Sequence, residues 1–246
     1  MTQTSKVAQI TLVFWAMKIC ATTLGETAGD LLTMTLGLGY AFGSLLLLAL
    51  FAVSLVVQLR AATFHPARYW LVILTTSTAG TAISDYMDRT LSLGYAWGSL
   101  LIGAVLAMVL AIWWSVEGTL SVQQIVSRRA ETFYWFAILC SNTLGTALGD
   151  YLADSSGLGF LGGASLIGAV LALIAVLYVG TRISRVLLFW AAFVLTRPLG
   201  ATLGDWLTKP DTAGGLALGT VSASVCLAVA MLLLAGLSGR RPRSAA

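Results

Sequence analysis

Four aspartates, Asp30, Asp85, Asp150 and Asp205, each end a related octapeptide within segments that are otherwise strongly apolar. The octapeptides read TLGETAGD (23–30), TAGTAISD (78–85), TLGTALGD (143–150) and PLGATLGD (198–205), at offsets of 55, 65 and 55 residues. A carboxylate at the centre of a bilayer-spanning helix costs about 2.5–3.5 kcal/mol on insertion scales, so each must face protein or water. On the 3.6-residue period, the residue seven positions earlier lies within about 20° of the aspartate. That residue is Thr23, Thr78 or Thr143, and Pro198 in the fourth copy. Carboxylate and hydroxyl oxygens in one stripe suit a hard cation such as magnesium, calcium or manganese, replacing part of its hydration shell. The plainer alternative is that the aspartates cap helices, accept backbone hydrogen bonds or pair with lysine and arginine.

The copies are not identical, and the differences carry charge. Lys18 and Glu26 occur only in the first copy and Arg197 only in the fourth; Arg197 aligns with Thr22, Ser77 and Asn142, and Glu26 with Thr81, Thr146 and Ala201. If the copies close into a ring, the first and fourth are neighbours. A Glu26–Arg197 ion pair inside the membrane is then expected, with Lys18 left to balance an aspartate or to extend towards the cytoplasm. Five carboxylates against these two cations leave a net charge of −3, a field that favours cations and is relieved by binding a proton. Proton-coupled cation export follows as a variant. Gly25, Gly80, Gly145 and Gly200 precede their aspartates by five positions, about 140° away around a helix. They predict close helix contact or a break at TxG that would free carbonyl ligands.

These residues need a membrane scaffold. The 246-residue chain is 58% hydrophobic and only 10% charged, against ~25% charged in soluble domains, and its mean hydropathy is +0.90. Apolar runs at 9–33, 39–59, 69–88, 93–115, 132–153, 159–180, 184–207 and 214–237 approach or exceed the ~20 residues of a spanning helix. The expected fold is all-α, with eight transmembrane helices forming four parallel two-helix repeats at 9–59, 64–116, 129–180 and 184–237. A pseudo-fourfold ring or two four-helix halves would satisfy this pattern. Ten extra residues around VEGTLSVQQIVSRRAE separate the second and third copies. Trp15, Trp70, Trp135 and Trp190 stand fifteen positions before the aspartates, a spacing that suits an inner aromatic belt.

Lys6, Arg60, Arg68, Arg128, Arg129, Arg182, Arg185, Arg240, Arg241 and Arg243 fall on one side, and only Arg89 and Lys209 on the other. The positive-inside rule then places the N-terminal segment 1–8 and the basic tail 238–246 in the cytoplasm. The tail is read as a topology signal rather than a nucleic-acid arm. Cys20, Cys140 and Cys226 lack the spacing of a zinc site or disulfide framework.

The TxGxxxxD core, with the LGYAFGSL and LGYAWGSL segments that follow it in copies one and two, resembles a bacterial integral-membrane family of tandem repeats of unknown function. The resemblance covers nearly the whole chain and implies the bacterial inner membrane, but no activity. No P-loop, HExxH or GxSxG is present, and the single His65 stands beside Pro66 in an expected loop, so no enzyme activity or cofactor is expected. The leading expectation is a secondary transporter or channel for a small cation. A carrier of a small organic solute, with Tyr40, Tyr95 and the eight tryptophans as apolar walls, and a non-transporting membrane subunit are the alternatives.

Overall fold

A computed structural model describes residues 6–239; residues 1–5 and the tail from Arg240 onward lie outside the described residues, and with them part of the charge count behind the topology. Eight long helices follow one another: α1 (Leu12–Asp30), α2 (Tyr40–Arg60), α3 (Pro66–Asp85), α4 (Tyr95–Glu117), α5 (Arg128–Asp150), α6 (Gly159–Gly180), α7 (Arg185–Thr208) and α8 (Thr220–Gly239). Local chemistry sets their ends. Thr11, Ser127 and Ser184 accept the first-turn amides of α1, α5 and α7, and Pro66 opens α3.

No helix breaks at the TxG segment. The irregularity comes after the aspartate, where α1, α3 and α5 loosen into π-helical turns at Leu31–Thr35, Tyr86–Thr90 and Tyr151–Ser155. The LGY motifs then explain themselves: Gly39 and Gly94, at φ of 71° and 75°, reverse the chain just before α2 and α4.

The odd-numbered helices form a closed ring of contacts, α1 to α3, α3 to α5, α5 to α7 and α7 back to α1. Each even-numbered helix packs outside, on the inner helix of the following copy: α2 on α3, α4 on α5, α6 on α7 and α8 on α1. Polar contacts fix two of these docks. Ser54 bonds Thr75 at 2.8 Å, and Ser224 donates to Thr27 at 2.9 Å.

Glycine draws the inner helices together. A Cβ at Gly25 would overlap Ser77, one at Gly145 would overlap Arg197 and one at Gly200 would overlap Thr22. At Gly80 it would lie 2.9 Å from the Asn142 backbone, which cannot rotate away. The same position of each copy therefore seats on the next copy around the ring, by close approach and not by a helix break. Gly80→Ala is expected to destabilise by about 1–3 kcal/mol through overpacking. Gly168→Ala, with nothing within 4 Å of its added Cβ, should be neutral or slightly stabilising. Unfolding of the detergent-solubilised variants checks both, and equal losses would contradict this packing.

The chain is a membrane protein. Among the described residues α2, α4, α6 and α7 are long and apolar enough to span a bilayer, and α8 is apolar over Thr220–Gly236. Their outward faces carry exposed Leu45, Val53, Trp97, Leu173, Val176 and Leu232. The inner helices α1, α3 and α5 are more polar because their polar side chains are enclosed by the ring.

The tryptophans correct one expectation. Trp70, Trp135 and Trp190 are buried in the core and do not form a belt. Each packs across a ring seam on an aromatic ring of the preceding copy: Phe14 on Trp70 at 5.7 Å, Tyr69 on Trp135 at 5.5 Å and Tyr134 on Trp190 at 6.4 Å. Phe189 on Trp15 at 5.8 Å completes the circuit.

Candidate functional site

On the inner helices every fourth residue from Phe14 to Asp30, with its equivalents in the other copies, is buried inside the ring, and these residues fall in layers. The aromatic layer of Phe14, Tyr69, Tyr134 and Phe189 closes the N-terminal end, with the Tyr69 and Tyr134 hydroxyls 2.6 Å apart. One turn on lie Lys18, Ile73, Ile138 and Phe193, then Thr22, Ser77, Asn142 and Arg197. Glu26, Thr81, Thr146 and Ala201 follow, and the four aspartates form the last layer; all of these are buried.

Glu26 stands at the axis. Its Oε2 accepts from Arg197 Nη2 at 2.9 Å, Thr81 at 3.2 Å and Thr146 at 3.5 Å, so donors from the other three copies converge on one oxygen. The ion pair expected from the alignment is thus present, with Arg197 fully enclosed. The same Nη2 also reaches Thr146 Oγ1 at 2.7 Å and the Thr81 hydroxyl. Arg197 Nε and Nη1 have no hydrogen-bond partner among the described residues.

Lys18 takes neither of its expected roles. Its ammonium sits 4.2 Å over the Phe193 ring and 3.4 Å from Asn142 Oδ1, wholly buried and away from the aspartates. Asn142 in turn donates to Thr76 at 2.8 Å.

At the far end, the two cations assigned to the outer surface fold back over the aspartates. Arg89 lies 2.9 Å from Asp85 and 3.4 Å from Asp150. Lys209 lies 3.0 Å from Asp30 and 3.1 Å from Asp205. Each cation stands four residues after its own aspartate and reaches the aspartate of the next copy, so two bridges join the four carboxylates in two pairs. Arg89 and Lys209 thus join the charged set, and the formal sum over Glu26, the four aspartates, Lys18, Arg197, Arg89 and Lys209 is −1 rather than −3. For Lys209, burial opposes the charged form, but Asp205 and Asp30 outweigh it and hold its pKa above the ordinary range.

The bridges differ in what surrounds them. Carboxylate oxygens of Glu26, Asp30 and Asp205 all lie within 4.8 Å of one another and are buried. Oxygens bound to one hard cation at 2.0–2.6 Å span at most about 4–5 Å, so this trio has the spacing of a single coordination shell. Asp85 Oδ2 and Asp150 Oδ1 are buried without a hydrogen-bond partner among the described residues.

The threonines expected beside the aspartates bond to their own helices. Thr23, Thr78 and Thr143 donate to the carbonyls of Ile19, Leu74 and Leu139, four residues back in their own helices, at 2.9, 2.8 and 3.1 Å. Thr81 and Thr146 are the hydroxyls beside the carboxylate. Glu131, a further buried carboxylate, bonds Gln58 at 3.1 Å and Lys6 at 2.7 Å away from the axis. Its place in the first turn of α5, with no partner nearby in sequence, offered no signal.

The fourfold repeat of the sequence coincides with a described one. A family model for a Repeat of Unknown Function (DUF347) matches four times, at residues 13–64, 68–119, 133–184 and 188–244. The chain belongs to the DUF347 repeat family. The charged column is thus built from one residue position after another of this repeat, four copies to a layer. No curated protein matches the chain. No solved structure matches it either.

Proposed function

We propose that the protein is a secondary transporter for a small cation, a divalent metal such as manganese exchanged against protons, with Glu26, Asp30 and Asp205 as the binding site. In this reading all eight helices span the bacterial inner membrane as a pseudo-fourfold bundle with cytoplasmic termini, and the chain has no enzymatic role. The observation that carries it is the carboxylate trio with Lys209 lying across two of its members. An ammonium held by two carboxylates is a tethered stand-in for a free cation, and a divalent ion entering the trio would displace it. The surplus negative charge of the column favours uptake of a cation or a proton.

The aromatic layer lies at one end of the column and the partly exposed Arg89 and Lys209 at the other, an arrangement that the transport reading takes as an occluded state. A non-transporting membrane subunit is the second reading. It is favoured by the pairing of every aspartate with a neighbouring cation, an arrangement that glues helices as well as it binds ions.

Equilibrium binding separates the two. Manganese titrated into the detergent-solubilised protein, followed by electron paramagnetic resonance, should show one bound ion per chain. Asp30→Asn and Asp205→Asn should weaken it at least about tenfold, ~1.4 kcal/mol, and Asp154→Asn, at the exposed end of the repeat, should not. Binding that is absent, or indifferent to Asp30 and Asp205, would favour the subunit reading.

A further inference from the structure

The ten-residue insertion that separates the second and third copies has no part in the charged column, yet it reaches the seam between α1 and α7. Leu120 and Val122 of this linker wall a groove of about 600 Å³ whose floor is Trp15 and Ile19 of α1 with Phe189 and Ala192 of α7. Leu171 and Ile174 of α6 form the opposite wall. Trp190 Nε1 donates to the Leu120 carbonyl at 3.0 Å, which pins the linker in place. The linker occurs once in the chain, so this groove is not one of four equivalents.

The groove is apolar along its floor and polar at one end. Thr11, Ser121 and Arg185 line that end. Two helices begin there, α1 at Leu12 and α7 at Arg185, and helix N-termini favour negative charge and phosphate oxygens. Arg185 stacks 4.4 Å over the Tyr178 ring and donates to the Tyr178 carbonyl, which orients its guanidinium. That bond uses one of its five N–H donors. Arg182 is exposed in the turn just before α7.

We infer that this groove is a binding site for one anionic phospholipid, with an acyl chain along the Trp15–Ala192 floor and the phosphate at Arg185. An apolar channel on a membrane protein offers no seat to a water-soluble ligand, whereas its length of apolar floor and single cationic end match a lipid. The inference does not depend on the transport reading.

The test uses the full chain in mild detergent, with native mass spectrometry after adding phosphatidylglycerol or phosphatidylcholine of the same chain length. The expected result is one retained phosphatidylglycerol per chain, at least about fivefold preferred over phosphatidylcholine. Arg185→Gln should remove the preference, Arg185→Lys should keep most of it, and Ala192→Trp, which fills the floor, should lower retention of both lipids. Equal retention of the two lipids by the unaltered protein would overturn the inference. So would phosphatidylglycerol retention unchanged by either Arg185→Gln or Ala192→Trp.

Discussion

Arg197→Ala is expected to lower the unfolding stability of the protein by about 3–5 kcal/mol, because it strands the Glu26 carboxylate in the closed ring. Glu26 would keep Thr81 and Thr146 as neutral donors but lose the only cation within ion-pair distance among the described residues. Glu26→Ala should be comparably damaging, since Arg197 already has two nitrogens without partners and would lose its counterion. The double variant Glu26→Ala, Arg197→Ala should cost well under the sum of the two single changes, as both charges leave together. Denaturant unfolding of the four proteins in one detergent measures the coupling. Strictly additive losses would mean that the 2.9 Å contact carries no pairwise energy.

Lys209→Gln should strengthen cation binding at the carboxylate trio by about tenfold or more, ~1.4 kcal/mol, since the variant removes the competing ammonium from Asp30 and Asp205. Arg89→Gln should not have this effect. Its bridge spans Asp85 and Asp150, which lie outside the trio, and its removal should instead lower stability. The contrast in manganese affinity between these two variants checks the assignment. If both change affinity alike, the two bridges are equivalent and the first and fourth copies hold no special site.

The Glu26–Arg197 pair was legible because four aligned copies act as internal references. A charged residue aligned with uncharged ones in the other three copies stands out, and neighbouring copies in a ring bring two such departures together. The glycines were legible for the same reason, and their contacts with Ser77, Asn142, Arg197 and Thr22 fill the place that close packing predicted.

The face of the aspartates was not legible. A straight helix seen alone puts the residue seven back nearest to Asp30, which pointed to Thr23. In the ring the residue four back shares the interior with Asp30 instead, which brings Glu26 to its carboxylate while Thr23 bonds its own helix. The threonine hydroxyls could also satisfy themselves on their own backbone, a local bond that spacing cannot rule in or out. Arg89 and Lys209 were assigned to the outer surface on charge and position. Their return to the aspartates depends on how each chain leaves its helix: through a π-helical turn after Asp85, and after α7 through a loop whose Leu216 and Leu218 amides bond back to Trp206 and Leu207. The tryptophans misled because fifteen residues is a distance suited to a lipid boundary, while an aromatic residue of the preceding copy packs on Trp70, Trp135 and Trp190 and makes each a core position.

Cation flux into proteoliposomes containing only the purified protein is the most direct measurement of the central claim. Manganese should enter vesicles in exchange for protons, and Asp30→Asn and Asp205→Asn should abolish the flux while leaving the folded protein intact by its unfolding profile. Absence of flux for manganese, magnesium, cobalt and protons, or flux that survives both substitutions, would contradict it.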